Sequence, residues 1–143
     1  MEETVRAVGH ENVTARHAST FEVTTDDYLT PAGDCILGIE ANRAPADFDP
    51  AFVTACRDAT ATITATFYVE DGTGATATGT ITGRGHPDLT FEDDRSLVGR
   101  TSDYVDDRTV MVGADAAAGD LDRRLAEALA AGADLRLTLA VEP

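Results

Sequence analysis

This sequence predicts an α+β domain, β-rich with two helices, and three features of the chain point there. Apolar residues alternate with polar ones or run in short unbroken clusters, as in Phe21 and Val23 or Cys35-Ile36-Leu37-Gly38-Ile39. Only two stretches carry helical spacing. The chain also matches itself: Gly9-His10 returns as Gly85-His86, Thr14 as Thr90, Thr25 as Thr101 and Asp27-Tyr28 as Asp103-Tyr104, all at an offset of 76 (86 minus 10).

The offset falls to 75 where Gly38-Ile39-Glu40-Ala41 aligns with Gly113-Ala114-Asp115-Ala116. It falls to 72 where Ile63, Ala65, Phe67, Val69 and Glu70 align with Leu135, Leu137, Leu139, Val141 and Glu142. Each half reads strand, strand, strand, helix, strand. The expected organisation is a single domain, 1–143, of two repeats, 9–70 and 85–142, joined by a hairpin strand at 71–84 and related by a pseudo-two-fold axis. Eight or nine strands with two helices leave too few crossovers for a βαβ nucleotide fold.

Element by element, Cys35 to Ile39 predicts a buried strand, answered in the second half by Val110 to Ala114. Asp49-Pro50 predicts the start of the first helix, with Phe48, Phe52, Ala55, Cys56 and Ala59 on its apolar face. Asp71-Gly72-Thr73-Gly74 predicts a hairpin turn into a strand from Thr76 to Thr82, whose alternating threonines suit a solvent-facing sheet surface. For the second helix the expected cap is Asp120, also spaced to pair with Arg124. Leu121, Leu125, Ala128 and Leu129 form its buried face, and Gly132 ends it.

Acidic residues number 26, and all 11 basic residues are arginine, so the formal net charge is −15. Complete loss of lysine with retention of arginine points to a selected surface of short, hydrated aspartates, and so to an extremely halophilic source. The 43% hydrophobic content with regular periodicity excludes a disordered chain. No apolar run reaches the roughly 18 residues that span a membrane, and Met1-Glu2-Glu3-Thr4 is not the opening of an export signal. The expectation is a cytoplasmic protein with no membrane partner, in which Cys35 and Cys56 are reduced thiols.

The runs Gly9-His10-Glu11-Asn12-Val13-Thr14-Ala15-Arg16-His17, Leu29-Thr30-Pro31-Ala32-Gly33-Asp34-Cys35-Ile36-Leu37-Gly38 and Gly83-Arg84-Gly85-His86-Pro87 resemble the archaeal family catalogued as domain of unknown function number 371. The resemblance covers essentially the whole chain and implies an archaeal source. Similar sequences place lysine where this chain has Asn42-Arg43 and Asp115-Ala116-Ala117, a departure that fits the loss of lysine throughout.

Common catalytic signatures are absent. Gly72-Thr73-Gly74-Ala75-Thr76-Ala77 imitates a dinucleotide fingerprint, but a hairpin tip lacks the helix N-terminus that meets a pyrophosphate. The candidate reactive set is His17, Asp34 and Cys35. Zinc is the cofactor such residue types suit, with His10, His17 and Cys35 as ligands; a thiolate with a histidine base is the other chemistry. Against both stands a simpler reading, in which Gly-His satisfies backbone groups at a strand start and the cysteine packs as a small hydrophobe.

In the second half, Arg84, Arg100 and Arg108 with Tyr104 form a candidate nucleic-acid surface, although aspartates 93, 94, 103, 106 and 107 interleave with them. Two function classes result. One is a small non-catalytic binding module for RNA or a protein partner, and the other is a small metal- or thiol-dependent enzyme around His17, Asp34 and Cys35.

Adjacent aspartates repel over distances that only concentrated salt screens. The urea midpoint therefore rises between about 0.1 M and about 3 M KCl. Equal midpoints in equilibrium melts at the two salts would refute the halophilic surface.

Overall fold

Period-two alternation governs the strands. The structure is a computed structural model that describes residues 1–74 and 76–143; Ala75, within the hairpin expected at 71–84, lies outside the described residues. In order come β1 (Glu2–Val8), β2 (Thr20–Thr24), β3 (Ile36–Gly38), α1 (Pro50–Cys56), β4 (Thr62–Glu70), β5 (Thr76–Arg84), β6 (Ser96–Arg100), β7 (Thr109–Met111), α2 (Arg123–Ala130) and β8 (Asp134–Glu142). Along β4, Ile63, Ala65, Phe67 and Val69 are buried and alternate with Thr64, Thr66 and Tyr68. The α+β architecture is the one predicted.

The strands form two four-stranded sheets. One is wholly antiparallel, in the order β1-β8-β4-β5; the other runs β3-β2-β6-β7, with β2 and β6 antiparallel and both outer pairs parallel. Phe21 of β2 meets Phe67 of β4 edge to face at 5.1 Å, so the core lies between the sheets. Around them sit Val5, Val23, Ile63, Leu97, Leu137 and Leu139, all essentially inaccessible to solvent. α2 packs against β4 and β5, and α1 against β8.

Local hydrogen bonds recur in the two halves. Val8 bridges Ile39, and Arg84 bridges Val112. Gly9 N–H donates to the Ala133 carbonyl and Gly85 N–H to that of Ala61. Asp47 accepts from Ala44 N–H and Asp120 from Ala117 N–H, each closing a single 3-10 turn before its helix. The strands that carry these recurring bonds include β1 and β5, which lie ahead of residues 9 and 85.

Three sequence expectations need correction. Glu22 N–H donates to the Cys35 carbonyl and Val98 N–H to that of Arg108, so the middle offset is 73 (108 minus 35), not 75. The difference in spacing falls in the loop before β7; the glycines at 38 and 113 match only in letter. The α2 cap is Asp122, which accepts the Arg124 N–H and pairs with its guanidinium at 2.9 Å, because Asp120 is used in the preceding turn. Ala59 lies past the end of α1 and is exposed.

Close backbone approach explains the two Gly-His pairs. A β-carbon on Gly9 would stand 1.9 Å from the Leu129 carbonyl oxygen, and one on Gly85 would stand 2.2 Å from that of Cys56. Gly9→Ala and Gly85→Ala should each destabilise the fold by about 3 kcal/mol in urea melts; a neutral effect at either position would contradict this packing.

Candidate functional site

Backbone bonds tie His17 to Asp34, next to Cys35, while the His17 and Cys35 side chains have separate partners. The Asp34 carbonyl accepts the N–H groups of Arg16 at 3.0 Å and His17 at 3.2 Å, tying the loop before β2 to the start of β3. The Cys35 thiol donates to Glu22 Oε1 at 3.6 Å. His17 Nδ1 accepts the N–H groups of Ser19 and Thr20 at 3.2 and 3.1 Å and lies 3.0 Å from Thr20 Oγ1. Two donated backbone N–H groups assign the ring proton to Nε2.

The other half supplies a comparison for each member. Asp93 stands where His17 does, and its Oδ2 accepts the N–H groups of Arg95 and Ser96 at 3.0 and 2.7 Å. A ring nitrogen and a carboxylate oxygen thus do the same work, capping the entry to β2 and β6. Asp34 corresponds to Asp107, whose carbonyl accepts the Asp93 N–H, and Cys35 corresponds to Arg108.

The thiol is not activated. Burial pushes Cys35 up from 9.0 to about 11, with the Glu22 charge adding to the shift and the Thr20 hydrogen bond only partly opposing it. A thiol so raised is neutral at physiological pH, whereas nucleophiles and metal ligands are thiolates. Cys56, fully buried, is raised to about 12 by its burial. His10 shares no bond with this group; its Nδ1 accepts the Asn12 N–H at 3.0 Å, as His86 Nδ1 accepts that of Asp88. Among the described residues no three histidine, cysteine, aspartate or glutamate side chains are grouped to hold a metal.

Three of the four candidate nucleic-acid residues converge around a carboxylate. Asp106 accepts from Arg100 Nη2 at 3.0 Å and from Arg108 Nη2 at 2.9 Å, and Arg100 lies over the Tyr104 ring at 4.8 Å. Burial alone would raise Asp106, but the bonds from Arg108, the Arg100 charge and the Thr109 hydroxyl hold it down at about 2. The positive charge of this cluster is largely committed internally. Arg84 lies elsewhere, exposed at the end of β5.

A different arginine pair stands open. Antiparallel pairing of β1 with β8 puts Arg6 directly opposite Arg136, and Arg136 is opposite Tyr68 of β4, with its guanidinium 4.7 Å from the ring centroid. All three side chains project from the outer face, because their neighbours Val5, Ala7, Leu135, Leu137, Phe67 and Val69 are buried. Neither guanidinium has an ion pair among the described residues. Like charges directly opposed on a sheet are unfavourable.

The row lines a concavity of about 330 Å³ whose rim includes Glu40, Glu70 and Asp134. Glu40 holds φ +54°, a left-handed conformation for which its counterpart Gly113, at +57°, is suited. A charged residue is therefore kept here at a conformational cost of about 1 kcal/mol. The counterparts of Arg6, Arg136 and Tyr68 are Thr82, Thr64 and Ala140, so the constellation exists once. Sequence reading missed it because Arg6 and Arg136 are 130 positions apart (136 minus 6). The available signal was arginine or tyrosine at outward strand positions otherwise held by threonine.

The family profile described as Domain of unknown function (DUF371) matches residues 5–142. A protein of Methanocaldococcus jannaschii described as uncharacterized is 38% identical over 135 residues, covering 94% of this chain and 96% of that relative.

The shared role of His17 and Asp93 is testable by exchange. His17→Asp should keep stability near that of the parent, while His17→Ala loses about 1–2 kcal/mol. Equal losses in the two variants would show that the imidazole does something a carboxylate cannot.

Proposed function

The chain belongs to the DUF371 family of domains of unknown function, and we propose that it serves as a small non-catalytic RNA-binding module in an extremely halophilic archaeon. The observation that carries this is the opposed pair Arg6 and Arg136 beside Tyr68 on an exposed sheet face. Opposed guanidiniums relieve their repulsion by sharing an anion, and arginine's planar fork suits a phosphate. An aromatic ring beside them supplies a surface for a base.

Salt decides how such a site must work. In molar KCl, counterion release contributes little, so directed hydrogen bonds and stacking must supply the affinity. The same face offers Thr4, Thr66, Thr78, Thr80 and Thr138 as neutral hydroxyl donors to a backbone. Arg84 joins that face at the end of β5, opposite Thr62 and about 20 Å along β4 from Tyr68. Arg100 and Arg108 contribute less, since both are bonded to Asp106.

The recurring hydrogen bonds of the two halves support an origin by internal duplication of units containing 9–70 and 85–142, followed by specialisation of one copy at Arg6, Glu40, Tyr68 and Arg136. A cytoplasmic setting is consistent with the two unpaired cysteines. No helix among the described residues is long and apolar enough to cross a membrane. The raised thiol of Cys35 and the capping role of His17 weigh against the enzyme alternative.

Anisotropy titrations of a fluorescent single-stranded RNA in molar KCl test the proposal. Arg6→Ala/Arg136→Ala and Tyr68→Ala should each weaken binding by about tenfold or more, and Arg100→Ala/Arg108→Ala much less. Binding that is absent in the parent or unchanged in the sheet-face variants would move the site elsewhere or leave the face to a protein partner.

A further inference from the structure

The two outer edges of the antiparallel sheet are finished differently. At β1, Asn42 exchanges bonds with Arg6, its Oδ1 accepting the Arg6 N–H and its N–H donating to the Arg6 carbonyl, both at 2.9 Å. Arg43 Nη1 then donates to the Thr4 carbonyl at 3.1 Å and pairs with Glu3. At β5 the first of these devices recurs, with Asp115 Oδ1 accepting the Thr82 N–H and Asp115 N–H donating to the Thr82 carbonyl. The second does not. The counterpart of Arg43 is Ala116, whose methyl group cannot reach the Thr80 carbonyl.

Beyond Thr82 the edge of β5 is therefore bare. Since the N–H groups of Thr82 and Arg84 point away from β4, period two turns those of Thr80, Thr78 and Thr76 the same way. Among the described residues nothing bonds these outward N–H and carbonyl groups. Natural proteins usually guard such an edge with charge or proline. Here Gly72 to Gly83 contains neither, in a chain whose charged content is 26%.

We propose that β5 is a self-association edge, pairing antiparallel with β5 of a second copy of this chain across a two-fold axis at Thr78. The segment Thr76-Ala77-Thr78-Gly79-Thr80 is nearly palindromic, so antiparallel pairing sets Thr76 against Thr80 and each Thr78 against its copy. About six backbone hydrogen bonds result, flanked by threonine pairs that stabilise cross-strand contacts. Charge favours this occupant as well. Two chains of −15 oppose each other over most of their surfaces, and the uncharged run from Gly72 to Gly83 is where they approach with least repulsion. The product is one eight-stranded antiparallel sheet whose outer faces lie on the same side.

Sedimentation equilibrium of the full chain in molar KCl tests this. The parent should sediment at twice the 15.0 kDa chain mass. Thr78→Pro, which removes an outward N–H and no β4 bond, should sediment as a monomer with an unchanged circular dichroism spectrum. If the proline disturbs folding, Thr78→Glu decides, because it opposes two carboxylates at the axis while leaving the β4 ladder intact. A monomeric parent, or folded variants that remain dimeric, would overturn the proposal.

Discussion

Both sheets depend on pairing between the halves. β4 runs beside β8 and β2 beside β6, so each sheet has its centre where the first half meets the second. Neither half can satisfy its backbone alone, because removing one exposes a full central strand of the other to solvent. The edge-to-face contact of Phe21 and Phe67 ties the two sheets together at this centre. Gly9 and Gly85 then let each helix end approach the strand entering from the opposite half, where a methyl group would collide with a carbonyl.

The same geometry distributes charge. Most of the net −15 lies on loops and helix surfaces, where hydrated aspartates also cap turns: Asp49 and Asp122 at the helices, Asp93 at β6. Arginines in loops and at the end of β6 are drawn into loop carboxylates, as Asp106 draws in Arg100 and Arg108 and Asp26 holds Arg95 at 2.9 Å. The outward positions of the antiparallel sheet differ, being rich in threonine, and there the guanidiniums of Arg6 and Arg136 keep their charge available. Carboxylate-paired and unpaired arginines thus lie on different faces of the molecule.

Much of the fold was legible in the alternation of Ile63 to Val69 and Leu135 to Val141, since strand burial is a local property with period two. The start of α1 at Asp49-Pro50 was equally readable, because proline and a capping carboxylate act within one turn. The register between the two halves at the loop before β7 was not. A glycine in each half at 38 and 113 offered a false match, and only the Glu22–Cys35 and Val98–Arg108 backbone bonds identify the equivalent residues. His17, Asp34 and Cys35 were legible only as residue types suited to chemistry; the backbone bond from His17 to Asp34 and the raised thiol were not, because both depend on β2 and β3 lying side by side.

By itself, then, the sequence determined the α+β class, the family and the acidic, lysine-free surface, all of which are set by composition, motif and local periodicity. Tertiary structure alone decided which arginines are free. Arg100 and Arg6 are indistinguishable as letters, yet loop closure places one on Asp106, and β1–β8 pairing places the other opposite Arg136. The availability of a charge depends on what lies within a few ångströms of it, and at that range strand pairing brings together residues that the chain keeps 130 positions apart.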